Sequence, residues 1–238
     1  MFFPFPPFGF AEPSGIFPSQ RKDDPIMKEQ SHEKILTLTR FSLLLAIEAI
    51  VSFTPLGSLP AFGPIVATLS MVPVIITAIL LGTRAGAAMG AFAGLFSFIV
   101  WTFFPPNPLT AFVFTPFYSL GAGKGNFWSL VICFVPRILV GPVTGACHSL
   151  FSRLKWKGWI AYGLSGALGS LTNTLLVLGG ILLFFGRSYA EAWGVGYNIF
   201  LGMIGLTILT NGIPEAVIGA VAAYAVCVPL QKRMKHHV

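Results

Sequence analysis

Six stretches of this sequence run for about twenty residues or more with almost no charge, at 35–55, 62–81, 85–104, 127–154, 159–185 and 199–230. A helix needs about 20 mostly apolar residues to cross the hydrocarbon core of a bilayer. Lipid cannot satisfy loose backbone groups, so each run is predicted to be helical. A transmembrane barrel would need many alternating strands of about ten residues, and that alternation is absent. The predicted fold class is therefore an all-α membrane protein, a six-transmembrane-helix bundle. Charged residues make up only 10% of the 238-residue chain, against about 25% in soluble domains. That excludes a disordered chain, a nucleic-acid-binding domain and almost any water-soluble enzyme.

Two domains are expected: a flexible Phe- and Pro-rich tail over 1–33, and the membrane domain over 34–235. With the N-terminus inside, the inner segments carry twelve of the Lys and Arg residues. The outer segments carry two, Lys124 and Arg187. That bias places both termini in the cytoplasm. Trp101, Trp128, Trp156, Trp159 and Trp193 fall near predicted span ends, as interfacial anchors do.

Small residues recur at helical spacing. Gly82, Gly86, Gly90 and Gly94 make a four-residue repeat on the third run, and Ser42 and Ala46, with Ala49 alongside, make a smaller one on the first. Such faces let another helix backbone approach closely. The partner is either a neighbouring helix of the same bundle or a second subunit, and spacing does not distinguish them.

Polar groups inside the runs are the candidate functional residues, because an ionisable side chain at membrane depth is costly and is paired or faces a cavity. They are Glu48, Arg137, Asn173, Asn211 and Glu215. Arg137 follows a helix-kinking Pro136 and lies about ten residues, roughly 15 Å, into its run. Its partner is either Glu215 or an anionic ligand. Asn173 and Asn211 suit a ligand with hydroxyl and amide groups, and suit interhelical hydrogen bonds equally. Gly212 and Pro214 predict a broken helix beside Asn211. Glu48 reads as a neutral or bridged glutamate, with proton coupling as the alternative.

The segment between the third and fourth runs holds Phe103, Phe104, Phe112, Phe114, Phe117 and Tyr118 among prolines. It is expected to be either a semi-rigid lid on a pocket or a re-entrant segment. The loop at 54–64, rich in Gly and Pro, reads as a gate. Cys133, Cys147 and Cys227 are dispersed in apolar runs and give neither a disulfide framework nor a metal site. No nucleotide-binding or zinc motif occurs, so no catalytic residue, metal or cofactor is expected.

The strings that carry a resemblance follow in order. They are Thr54-Pro55-Leu56-Gly57, Met71-Val72-Pro73-Val74-Ile75-Ile76, the glycine stripe from Gly82, Phe112-Val113-Phe114-Thr115-Pro116-Phe117, Gly125-Asn126-Phe127-Trp128-Ser129-Leu130, Cys133-Phe134-Val135-Pro136-Arg137-Ile138-Leu139, Gly169-Ser170-Leu171-Thr172-Asn173-Thr174 and Asn211-Gly212-Ile213-Pro214-Glu215-Ala216. Over about residues 34–235 the chain resembles the substrate-binding S-component of energy-coupling factor (ECF) vitamin transporters, and within that family the pantothenate type.

The resemblance implies six helices with both ends cytoplasmic, a bacterial cytoplasmic-membrane location and a vitamin site near the outer face. It also implies a transmembrane coupling subunit and two cytoplasmic ATPase subunits as partners. The S-component then binds and reorients in the bilayer but hydrolyses nothing. Ser42, Ala46 and Ala49 are the expected docking residues, with Gly86 and Gly90 as a second small-residue face. The first-helix motif is imperfect, since Ile50 stands where a further small residue belongs. For pantothenate, Arg137 is expected at the carboxylate, Asn173 and Asn211 at hydroxyl or amide groups, and Phe112 and Phe114 as apolar wall. Glu215 and Glu48 are structural or secondary-site candidates. The alternatives are an S-component for cobalamin or another vitamin, and a proton-coupled secondary transporter using Glu48 or Glu215.

Overall fold

The computed structural model describes residues 25–54, 58–59, 67–120 and 123–235, with side chains over 33–54, 69–119 and 124–231. Residues 1–24 of the tail expected over 1–33, and most of the gate-like loop at 54–64, lie outside the described residues, while 25–33 belong to a helix. Two compact units are distinguished, Met1–Leu36 and Thr37–Val238. The first contributes the opening turns of α1 (Pro25–Phe53), and the second holds everything that follows. A proline at the first helical position gives up no hydrogen bond, so Pro25 is well suited to open α1.

The order continues with α2 (Met71–Leu81), α3 (Thr83–Phe103), a 3₁₀ turn (Pro108–Val113), α4 (Phe127–Arg153), α5 (Gly158–Ala192), α6 (Tyr197–Thr207) and α7 (Ile213–Lys235). Two antiparallel pairs of two-residue strands sit in the loops. One is β1 (Ser58–Leu59) with β2 (Ala67–Thr68), pairing Ser58 with Thr68. The other is β3 (Ser119–Leu120) with β4 (Gly123–Lys124), pairing Ser119 with Lys124.

Among the described residues, five helical stretches are long and apolar enough to cross a membrane: Glu33–Phe53, Thr83–Phe103, Phe127–Arg153, Gly158–Ala192 and Tyr197–Gln231. The run at 62–81 differs from its expectation. Its described helix, α2, has 11 residues, about 16 Å of rise against a hydrocarbon core of about 30 Å. The last run also differs. Instead of breaking at Asn211, the chain continues from α6 into α7 through a single π turn, Ile208–Gly212. Pro214 has no N–H for the carbonyl four residues back, and a widened turn absorbs that loss without ending the helix.

Glycine decides how closely α3 and α4 pack. A Cβ at Gly90 would overlap the Arg137 carbonyl, and one at Gly141 would overlap the Gly86 backbone. The small face of α3 therefore meets α4, with Ala78 of α2 also against Gly86. Gly82, at φ 94°, makes the sharp corner between α2 and α3 that a side chain would strain.

Two cores result. One gathers Val113, Ile132, Leu178, Ile181, Phe185 and Phe200, and the other Val74, Ile75, Met89, Val140, Ala223 and Cys227. The helix stretch Glu33–Phe53 is different, because Glu48 is its single buried residue. Many of its apolar side chains, such as Leu38, Leu43 and Ile50, are exposed.

Candidate functional site

The start of α4 is fixed by a capping box. The Asn126 side-chain oxygen accepts from the Trp128 N–H at 2.9 Å, and the Asn126 N–H donates to Ser129 Oγ at 3.1 Å. Ser129 Oγ in turn donates to the Phe112 carbonyl at 2.7 Å. One serine thus ties the 3₁₀ turn to α4. Thr110 to Thr115 are all buried, so the centre of the expected lid is packed into the bundle. Its apolar residues complete a core that α4, α5 and α6 leave open.

Beside this segment is a cavity of about 50 Å³, with about 480 Å³ of empty space when its open mouth is included. Arg137, Asn173, Asn211, Phe114 and Glu215 all line it, together with Trp101, Thr174, Val177, Leu178 and Thr207. Residues from α3, α4, α5, α6, the π turn and α7 meet there. Phe112 does not line it. That ring is fully buried one layer behind, 5.7 Å from Phe185 and 6.3 Å from Tyr189. Phe114 stacks on Trp101 at 4.5 Å, with 27° between the ring planes. The Arg137 guanidinium carbon lies 5.7 Å from the Phe114 ring centroid.

The polar atoms are incompletely matched. Arg137 is 6% exposed. Its Nη1 donates to the carbonyls of Ile132 and Cys133, at 3.3 and 2.8 Å, while its Nε has no hydrogen-bond partner. Asn173 is 7% exposed, and its Oδ1 also lacks one. Thr174 Oγ1 donates to Glu215 Oε2 at 2.7 Å, joining α5 to α7. Thr210 Oγ1 donates to Asn211 Oδ1 at 3.3 Å. Each buried polar group left unmatched costs about 1–3 kcal/mol.

Other residues singled out in the sequence lie elsewhere. Glu48 is fully buried on α1. Ser52 Oγ donates to its Oε1 at 3.0 Å, and Oε2 has no hydrogen-bond partner. It is within electrostatic reach of Arg137 but is not part of the cavity wall. Ser42 and Ala46 are exposed and Ala49 is half-buried, whereas Gly86 and Gly90 are buried between helices.

Sequence reasoning missed Trp101, Thr174 and Thr207 as lining residues. Trp101 reads as an interfacial anchor because it sits at a span end. Thr174 adjoins Asn173, and Thr207 precedes Asn211 by four residues, a spacing that could have found it. Among the described residues no cluster of His, Cys, Asp or Glu could hold a metal ion.

An apolar helical bundle around a small, partly open and partly polar cavity, with an unused donor and an unused acceptor in its lining side chains, defines a polytopic membrane protein with a candidate binding site. Comparison with known proteins narrows the class. The chain belongs to the family described as ECF transporter, substrate-specific component, whose sequence profile matches residues 36–230. It is 35% identical over 170 residues to the pantothenic acid transporter PanT of Lactococcus lactis subsp. cremoris (strain MG1363), covering 71% of this chain and 80% of that protein. It is 28% identical over 217 residues to the pantothenate transporter PanT of Leuconostoc mesenteroides subsp. mesenteroides, covering 87% of this chain and 98% of that one. The expected family is therefore the family found, and the chain is a multi-pass protein of the bacterial cell membrane. Membership gives it a substrate-binding part in transport rather than a catalytic one.

Proposed function

We propose that this chain is the vitamin-binding subunit of an ATP-driven ECF importer for pantothenate. The observation that carries this reading is the pair of unmatched atoms, Arg137 Nε and Asn173 Oδ1, buried in side chains that line one cavity. Pantothenate carries a carboxylate, an amide and two hydroxyls. Arg137 takes the carboxylate. Asn173 and Asn211 take amide or hydroxyl groups, and Glu215, held by Thr174, accepts from a hydroxyl. Trp101 and Phe114 form the apolar wall, with Phe112 supporting it from behind. The names of the two relatives support the choice of vitamin.

The asymmetry of Lys and Arg argues for six crossings with both termini cytoplasmic, the short α2 being the described part of the second crossing. A transmembrane coupling subunit and two ATPase subunits supply the energy. The subunit binds its vitamin from outside and reorients against the coupling subunit to release it inward. The docking face is the outward side of α1, with Ser42 and Ala46 exposed and Ala49 beside them. Gly86 and Gly90 serve the internal α3–α4 contact.

Calorimetric titration of the purified chain with pantothenate, cobalamin, riboflavin, folate and thiamine precursors tests the substrate. Saturable one-to-one binding of pantothenate alone is the expected result. Tight binding of another vitamin would overturn the choice of substrate and leave the family intact. Uptake into proteoliposomes containing only this chain and a proton gradient would overturn the ATP-driven mechanism.

A further inference from the structure

Pro136 leaves the Ile132 carbonyl without the amide that a helix normally supplies from four residues on. Arg137 fills that gap from the side. Its Nη1 donates to Ile132 and Cys133 together, and that nitrogen has only two hydrogens to give. Phe114 covers the guanidinium. The turn that carries Arg137 is itself held, because Gly90 of α3 packs directly on the Arg137 carbonyl. A guanidinium fixed at one nitrogen and over one face has little freedom to turn. What it leaves unused is the Nε, on a side chain that lines the cavity. A carboxylate pairs with a guanidinium edge through two parallel N–H bonds, and the edge that includes Nε is not consumed by the helix.

We propose that Pro136 is the positioning residue of this site. By orphaning the Ile132 carbonyl, it draws Nη1 onto α4 and turns the Nε edge of Arg137 toward a bound carboxylate. The proposal rests on Arg137 being the carboxylate partner and adds what aims it. The site's preference for an acid over the matching alcohol then depends on a residue that touches no ligand.

Three substitutions in the full chain, two of them also combined, test it. In Pro136→Ala a backbone N–H returns to Ile132 and displaces Nη1 from that carbonyl, so Arg137 keeps only the Cys133 carbonyl and is held less firmly. Pantothenate affinity is expected to fall about tenfold, the loss of roughly one charge-assisted hydrogen bond. The affinity for panthenol, which replaces the carboxylate by an alcohol, stays within about twofold. Equal losses for both compounds would mean that the kink merely shapes the pocket, and would overturn the proposal.

Arg137→Lys separates the two roles should Pro136→Ala fail to fold. An ammonium can cap the two carbonyls but has no second edge. The expected result is a melting midpoint near wild type with the preference for pantothenate over panthenol lost. A retained preference overturns the proposal.

A ligand-free arm addresses the anchor alone. Arg137→Met is expected to lower the melting midpoint by about 3 °C in the wild-type background, and by less than half of that beside Pro136→Ala. Equal drops in the two backgrounds overturn the anchor. A wild-type chain that binds neither compound overturns the substrate reading instead, and the melting cycle then decides the anchor by itself.

Discussion

Thr174 on α5 donates a 2.7 Å hydrogen bond to Glu215 on α7, and both side chains line the same cavity. Glu215 is half-buried, and a carboxylate drawn out of water is helped by such a donor. The contact joins residues 41 apart in sequence on two different helices, so it ties two walls of the cavity together. Thr174→Val keeps the shape and removes the donor. Pantothenate binding is predicted to weaken about tenfold by calorimetry, with a melting midpoint a few degrees lower. Unchanged affinity would place Glu215 outside the recognition of the ligand.

The aromatic residues divide into wall and core. Trp101→Ala removes the partner stacked on Phe114 and is predicted to reduce vitamin affinity with little change in melting. Phe112→Ala empties a fully buried site and is predicted to cost about 3–5 kcal/mol of stability, losing binding only as the chain unfolds. Melting and titration of the two variants side by side check the division, and the reverse pattern would contradict it.

Gly90→Leu is predicted to force α3 from α4, because even a Cβ there overlaps the Arg137 carbonyl. Overpacking of this kind typically costs about 1–3 kcal/mol. Here it also displaces the turn that carries Arg137. Detergent-solubilised yield, melting midpoint and vitamin affinity should fall together. A stable variant with wild-type affinity would show that this face is not needed inside the bundle.

The outward face of α1 gives a prediction of the opposite kind. Ser42 and Ala46 are exposed, so Ala46→Trp should leave vitamin binding by the isolated chain unchanged. The same substitution should abolish ATP-driven uptake when the coupling and ATPase subunits are present, because a bulky side chain prevents close helix approach. Uptake at the wild-type rate would move the docking surface elsewhere.

Long apolar runs were readable because membrane length is a strict physical requirement. The ends of α3 and α4 fall within two residues of their predicted limits, and Arg137, Asn173, Asn211 and Glu215 stood out as polar groups at membrane depth. Other features depend on where a helix faces, which spacing alone does not reveal. The α3 glycines and the α1 small residues share one periodicity, yet the first are buried and Ser42 and Ala46 are exposed. Phe112 and Phe114 are two residues apart and compositionally alike. One is core and the other is wall, because the 3₁₀ turn between Pro108 and Val113 folds inward. The self-capping of Arg137 needed coordinates, although Pro136 beside an arginine was its visible trace.

A structure of the purified chain with pantothenate bound tests the central claim most directly. The account predicts the vitamin between Trp101, Phe114 and Asn211, with its carboxylate within hydrogen-bonding distance of Arg137 Nε and a polar hydrogen on Asn173 Oδ1. Pantothenate bound elsewhere on the chain, or bound here with its carboxylate turned away from Arg137, would contradict it.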